Sequence, residues 1–301
     1  MGGELCRVLL DRGHEVRALD IRRPSPRSRD IAEHIDWRVG DASRTQVMAQ
    51  ALAGPQIDAV YYGAFYRAFA HGATLEQEVE VMGTGVFRTM EIAHALGVRR
   101  IIIPSSIAVH GPQLATDPEY DEKSAVRPYE VYGVLKLLCE YACTLINSRI
   151  GMKFATAIRV PSVYGPGAVI GSRSINVAAV EAARGRTAHV PYAPTARVCV
   201  GHVTDTAVGL ASAMESEATH DVYGLGGINA SYEDMANAVK ATLPDADIRF
   251  GDDEASPFPH RINYELGRRD FGFAHRDLVT GMKSVIDYER SNLASTEVSP
   301  P

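Results

Sequence analysis

The chain has 301 residues, 46% of them apolar, and a net charge of −6. That length suits one large domain, or a domain with an added lobe, and the apolar share is enough for a sizeable core. The acidic balance argues against a general nucleic-acid binder. No apolar run approaches the roughly 18 residues that cross a bilayer, and Glu4, Arg7, Asp11 and Arg12 interrupt the stretch that a signal peptide would keep apolar.

The predicted elements run as follows. Gly2 to Arg12 reads as a helix with Leu5, Val8 and Leu9 on one face, ended by Gly13. Glu15 to Asp20 and Asp36 to Val39 read as strands, Ala42 to Ala53 as a helix, and Asp58 to Tyr62 as a strand. A long helix over Leu75 to Leu96 leads to the strand Arg100 to Pro104; a second, over Val131 to Arg149, leads to the strand Lys153 to Arg159. Alternation of this kind predicts an α/β fold: a doubly wound, Rossmann-like parallel sheet with helices on both faces over residues 1–160. After Pro161 glycine and proline become frequent, as in Tyr164-Gly-Pro-Gly167. Residues 161–295 are expected to form a smaller C-terminal substrate lobe, with some segments returning to the main sheet, and residues 296–301 a disordered tail. Cys139 and Cys143 lie four apart on one helix face and, with Cys6 and Cys199, read as packing thiols. Neither a metal site nor a disulfide framework is expected, and the chain is expected to be cytoplasmic.

Chemistry concentrates around Tyr132-Gly-Val-Leu-Lys136, where a phenol and an ammonium four residues apart share a helix face. A free tyrosine, with a pKa near 10, is a poor base at neutral pH; a neighbouring ammonium favours the phenolate and makes a general base plausible. Alone, the motif also fits a solvated lysine beside a packed tyrosine. Ser105 and Ser106 follow a buried strand, Ser106 lying 26 positions before Tyr132, at the sheet edge where ligands bind. One of the two is expected to cap the local turn and Ser106 to face the site.

With these pieces in order, the chain resembles the extended short-chain dehydrogenases/reductases, the NAD-dependent epimerase/dehydratase group. The resemblance also takes in Gly40-Asp41, Gly83-Thr84, His110-Gly111, Arg159-Val-Pro-Ser-Val-Tyr-Gly-Pro166, His202-Val-Thr-Asp205 and Leu266-Gly…Phe271-Gly-Phe273, and so spans almost the whole chain. It implies Tyr132 as general base, Lys136 as its partner and a holder of the nicotinamide ribose, and Ser106 as an assisting hydroxyl. NAD is the implied cofactor, with the helix at Gly2 facing its pyrophosphate. Asp20, 18 residues on, would accept from the adenosine ribose hydroxyls and repel a 2′-phosphate; Arg22 and Arg23 read as a solvated loop. Asp41 is either an adenine contact or the N-cap of the following helix.

The family opens with a strand and a G-x-x-G-x-x-G turn, whereas this chain starts at the last of those glycines, Gly2. A missing upstream segment or a misplaced start is expected, with neighbouring strands left unpaired and weaker NAD binding. Tyr62-Gly-Ala-Phe65, Glu80, His110 and Leu135 depart from the residues usual in the family, Val190 to Val198 departs from the pattern of many nucleotide-sugar enzymes, and Ile107 and Ala108 disfavour dehydration. Glu130 and Glu140 read as surface groups. Arg197 and Arg261 are candidate substrate contacts, a surface salt bridge being the alternative for Arg197. His202 is expected to pack, and His260 to be an exposed loop residue. The function expected is NAD-dependent oxidation or epimerisation at a secondary hydroxyl of a sugar, nucleotide-sugar or sugar-acid-like substrate; the alternative is a non-catalytic dinucleotide-binding sensor or scaffold. The resemblance also implies a homodimer, paired through the long helices Leu75 to Leu96 and Val131 to Arg149.

Overall fold

The computed structural model describes residues 1–24, 26–65, 72, 74–114, 116–168, 173–254 and 258–297. The first part of the chain carries α1 (Gly2–Asp11), β1 (Val16–Asp20), a 3-10 segment, β2 (Ile35–Val39), α2 (Thr45–Leu52) and β3 (Ala59–Tyr61). There follow α3 (Leu75–Val79), α4 (Gly85–Ala95), β4 (Arg100–Ser106), α5 (Val131–Ile150) and β5 (Ala155–Val160). The rest comprises β6 (Ser162–Tyr164), α6 (Arg173–Ala183), β7 (Ala188–Tyr192), β8 (Arg197–His202), α7 (Val203–Glu215), β9 (Val222–Gly224), β10 (Ile228–Ser231), α8 (Tyr232–Lys240), β11 (Ile248–Asp253), α9 (Leu266–Phe271) and α10 (Leu278–Glu297).

The central sheet is parallel, in the order β3-β4-β5-β9, and has helices on both faces. Strand periodicity explains the two faces. Ile101 and Ile103 of β4 pack against Val86, Met90 and Ala93 of α4 and Cys139 and Cys143 of α5. Ile102, between them, packs against Leu5 and Val8 of α1 and Leu210 and Ala211 of α7. All four cysteines are free thiols.

β1 and β2 form a separate parallel pair, Val16 opposite Ile35 through Asp20 opposite Val39. Among the described residues no ladder joins β1 to β3, although Leu19–Ile21 and Gly63–Phe65 line one cavity. Among the described residues β1 and β3 are each paired on one side, β1 with β2 and β3 with β4.

The helix expected over Leu75 to Leu96 contains a π turn at Glu80–Thr84. The Gly85 N–H reaches back to Glu80 O, and the Tyr62 hydroxyl donates to Val81 O at 2.7 Å. A side chain at Gly85 would overlap that hydroxyl, so the glycine and the tyrosine together set the bulge. A third core lies in the second part of the chain, where Tyr164, Val198, Val200, Met235, Val239, Val285 and Ile286 are buried together. β9 leaves this region and pairs with β5 in the central sheet. Thr296 and Glu297, expected to be disordered, belong to α10; residues 298–301 lie outside the described residues.

Candidate active site

A cavity of about 510 Å³ opens beyond the C-terminal end of β4, and Ser105, Ser106, Tyr132 and Lys136 share its wall. Tyr132 lies in the first turn of α5 and Lys136 one turn on, so both project from one face. Lys136 is buried; its Nζ donates to Pro104 O at 2.7 Å and stands 5.6 Å from the centroid of the Tyr132 ring. Gly133 allows this docking, because a Cβ there would lie 2.8 Å from Ala108 O. Phe65 meets the Tyr132 ring edge-on, with centroids 5.7 Å apart.

The two serines divide their work differently from the sequence expectation. Ser106 is itself the cap: its Oγ accepts from Ala108 N at 3.1 Å while lining the cavity. Ser105 donates to Glu140 Oε1 at 2.6 Å. Glu140 is not a surface group. Its side chain is 5% exposed, as is that of Arg159, whose Nε and Nη2 grip the two carboxylate oxygens at 2.8 and 2.9 Å. A surface carboxylate would need no such fork; burial demands one. The sequence does carry a signal for Glu140, which follows Tyr132 and Lys136 at i+8 and i+4, on the same helix face. Glu130 is half-buried and accepts from the Tyr129 hydroxyl at 3.0 Å.

The network continues to His110, which is fully buried. Its Nδ1 faces Ala125 O at 3.0 Å, so that nitrogen carries the proton. Nε2 then accepts from the Tyr264 hydroxyl at 2.6 Å, with Arg159 Nη1 at 3.4 Å. Burial pushes the imidazole down to about 4 and pushes the Tyr264 phenol up. Tyr264 packs flat on the chain at Gly224, where a side chain would overlap its ring. β4, α5, β5 and the 264 segment are thus tied behind the site through one set of polar contacts.

A second cavity, of about 540 Å³, lies at the ends of β1, β2 and β3 and is lined by Asp20, Arg22, Gly40 and Asp41. Gly63 and Phe65 line both cavities, so the two meet. Asp20 is exposed, and its Oδ1 accepts from Arg22 N at 2.9 Å. Asp41 Oδ1 accepts from Ser43 N at 2.9 Å; since Arg44 occupies the N-cap of α2, Asp41 forms a turn ahead of that helix rather than capping it. Gly2 opens α1, and Met1, Gly3, Glu4 and Arg7 reach the first cavity. The first N–H groups of a helix have no partner within it, and those of α1 start at this wall.

Arg197 and Arg261 do not line either cavity. Arg197 donates to Asn229 O at 2.7 Å and stands 4.0 Å from Asp234. The Arg261 guanidinium holds the carbonyls of Leu114 and Asp117. Both guanidiniums donate to backbone carbonyls. His202 is buried, caps α7 through Thr204 N at 3.3 Å and meets Ser284 Oγ at 2.9 Å. His260 is half-buried rather than exposed, with its N–H on Gln113 Oε1.

The profile of the NAD dependent epimerase/dehydratase family matches residues 1–226, about three-quarters of the chain. The chain belongs to that family. Among curated proteins, a 3-beta-hydroxysteroid dehydrogenase of Mycolicibacterium neoaurum is 30% identical over 175 residues, 56% of this chain and 46% of that protein. This family member thus spans about half the length of the curated relatives it matches. Among solved structures, L-threonine 3-dehydrogenase from Trypanosoma brucei superposes with a TM-score of 0.86 at 18% identity, covering 98% of this chain and 94% of the other. MoeE5 in complex with UDP-glucuronic acid and NAD superposes at 0.78 and 22% identity, covering 97% and 96%. These likenesses establish the Rossmann-like fold.

Proposed function

We propose that this chain binds NAD across the two joined cavities and oxidises a secondary hydroxyl, with Tyr132 as general base, Lys136 as its cationic partner and Ser106 as donor to the substrate oxygen. The observation that carries this reading is the Lys136 ammonium, buried and 5.6 Å from the Tyr132 ring, on a wall shared with Ser106. An ammonium on the same wall attracts the negative charge that develops on a phenol as its proton leaves. That oxygen can then take the proton of a bound hydroxyl. By capping the turn Ser106 uses its lone pair, and its O–H is left to donate to the substrate oxygen.

The residues present fit a dinucleotide. Asp20 and Asp41 stand at one end of the joined cavities and the Tyr132–Lys136 pair at the other. Gly63 and Phe65 line both cavities, and the start of α1, whose N–H groups suit a diphosphate, lines the first. Asp20 would hold the ribose hydroxyls, Lys136 the second ribose. NAD, when bound, supplies the acceptor for the carbinol hydride. Net dehydrogenation and the first half of an epimerisation begin alike, and relatives of both kinds exist.

We also propose a homodimer through α5 and the α3–α4 helix. Val131, Val134, Leu138, Tyr141 and Leu145 are exposed at alternating spacings of three and four, an apolar seam that a second copy would cover.

The test is Tyr132→Phe, followed by the absorbance of reduced nicotinamide with alcohol and NAD. Turnover should fall about 10²- to 10⁴-fold while NAD binding persists. Wild-type turnover in the variant refutes Tyr132 as base; NAD binding without turnover in either protein favours the non-catalytic sensor.

A further inference from the structure

Beyond the catalytic pair the described cavity wall includes a group of apolar side chains: Val163, Pro166 and Ala168, which follow β5, with Phe65 and Phe258. Phe65 is 43% exposed although it touches the Tyr132 ring; a large apolar ring held open beside a reacting group gains from a ligand that covers it. Charge is distributed accordingly. Among the described lining side chains, the cationic ones are Arg7 and Lys136. Arg7 lies on α1, at the dinucleotide end, and forks onto Asp30 at 2.6 and 2.9 Å. Lys136 belongs to the catalytic pair. Arg197 and Arg261, read from the sequence as substrate contacts, are turned onto backbone carbonyls elsewhere. Among the described lining side chains, none other than Arg7 and Lys136 would offset the two negative charges of a nucleoside diphosphate.

We infer that the substrate is an apolar secondary alcohol without a phosphate, its carbon skeleton lying between Phe65, Phe258 and the Val163–Ala168 turn. The inference rests on the oxidation proposed above. In that oxidation the carbinol hydride passes to NAD⁺, the hydroxyl proton passes to Tyr132, and a ketone remains. Recognition then comes from area removed from water, with one polar anchor at Ser106 and Tyr132 to select the hydroxyl.

The experiment uses the full chain with saturating NAD. Turnover is measured with 2-butanol through 2-octanol, with a 3β-hydroxysteroid solubilised by cyclodextrin, and with UDP-glucose. Equilibrium dialysis of the same steroid and of UDP-glucose against wild type and Tyr132→Phe reads binding without catalysis. Across the alkanols kcat/KM should rise about fourfold per methylene, the equivalent of about 0.8 kcal/mol. The steroid should bind both proteins more tightly than UDP-glucose does. Phe65→Ser should reduce kcat/KM for the steroid by a larger factor than for 2-butanol. A flat alkanol series, or UDP-glucose bound or turned over in preference to the steroid, overturns the substrate class. Steroid bound by both proteins but oxidised equally by the Tyr132→Phe variant upholds the class and refutes the assignment of the base.

Discussion

Replacing Glu140 by Gln should lower the melting temperature by about 5–8 °C. Glu140 and Arg159 are each 5% exposed and joined by two hydrogen bonds. Removing the charge of one partner leaves an uncompensated buried guanidinium, a change that costs about 3–5 kcal/mol. With an unfolding entropy of about 2.1 cal/mol/K per residue, 301 residues give about 0.6 kcal/mol/K, hence the expected shift. A surface glutamate in the same helix would change stability by about 0.5 kcal/mol or less, under about 1 °C. The assay is thermal unfolding by circular dichroism at neutral pH, with the double variant Glu140→Met/Arg159→Met as control. Replacing both ions by apolar chains removes the orphaned charge, so the double variant should be more stable than Glu140→Gln. A Glu140→Gln melt within 1 °C of wild type, or a double variant that simply adds two losses, refutes the buried-pair reasoning.

His110 ties stability to pH. Its folded value of about 4 lies below the ordinary 6.5 because burial disfavours the cation. The unfolded chain therefore binds the proton more readily between those values. The contribution of neutral His110 is complete above about pH 6.5 and is lost as pH falls towards 4, by at most about 1.4 kcal/mol per pH unit. Chemical denaturation at pH 7, 6 and 5 should show a flatter pH slope in His110→Asn than in wild type; equal slopes would refute the assignment. Asp20→Ala should weaken NAD binding about 10- to 100-fold, the worth of a charge-assisted hydrogen bond; unchanged affinity in titration calorimetry would remove Asp20 from the ribose site. Leu138→Asp, in the exposed seam of α5, should convert a dimer to a monomer in sedimentation velocity, and a monomeric wild type would refute the seam as an interface.

Local pattern and spacing were enough to read the alternating strands and helices, the parallel sheet and the Tyr132–Lys136 pair. An amphipathic helix advertises its buried stripe, and two residues four apart share a face whatever surrounds them. Tertiary contacts decided the rest. Glu140 carries the same helical signature whether it meets water or Arg159, and only β5 passing behind α5 makes it a buried ion. At the π turn the Val81 carbonyl accepts from the hydroxyl of Tyr62, 19 residues before it, a contact no local pattern announces. Arg197 and Arg261 have the charge for substrate, yet backbone carbonyls on neighbouring segments claim them. Secondary structure is written in short-range periodicity, whereas the fate of a polar side chain depends on which distant atoms the fold sets within about 3 Å of it.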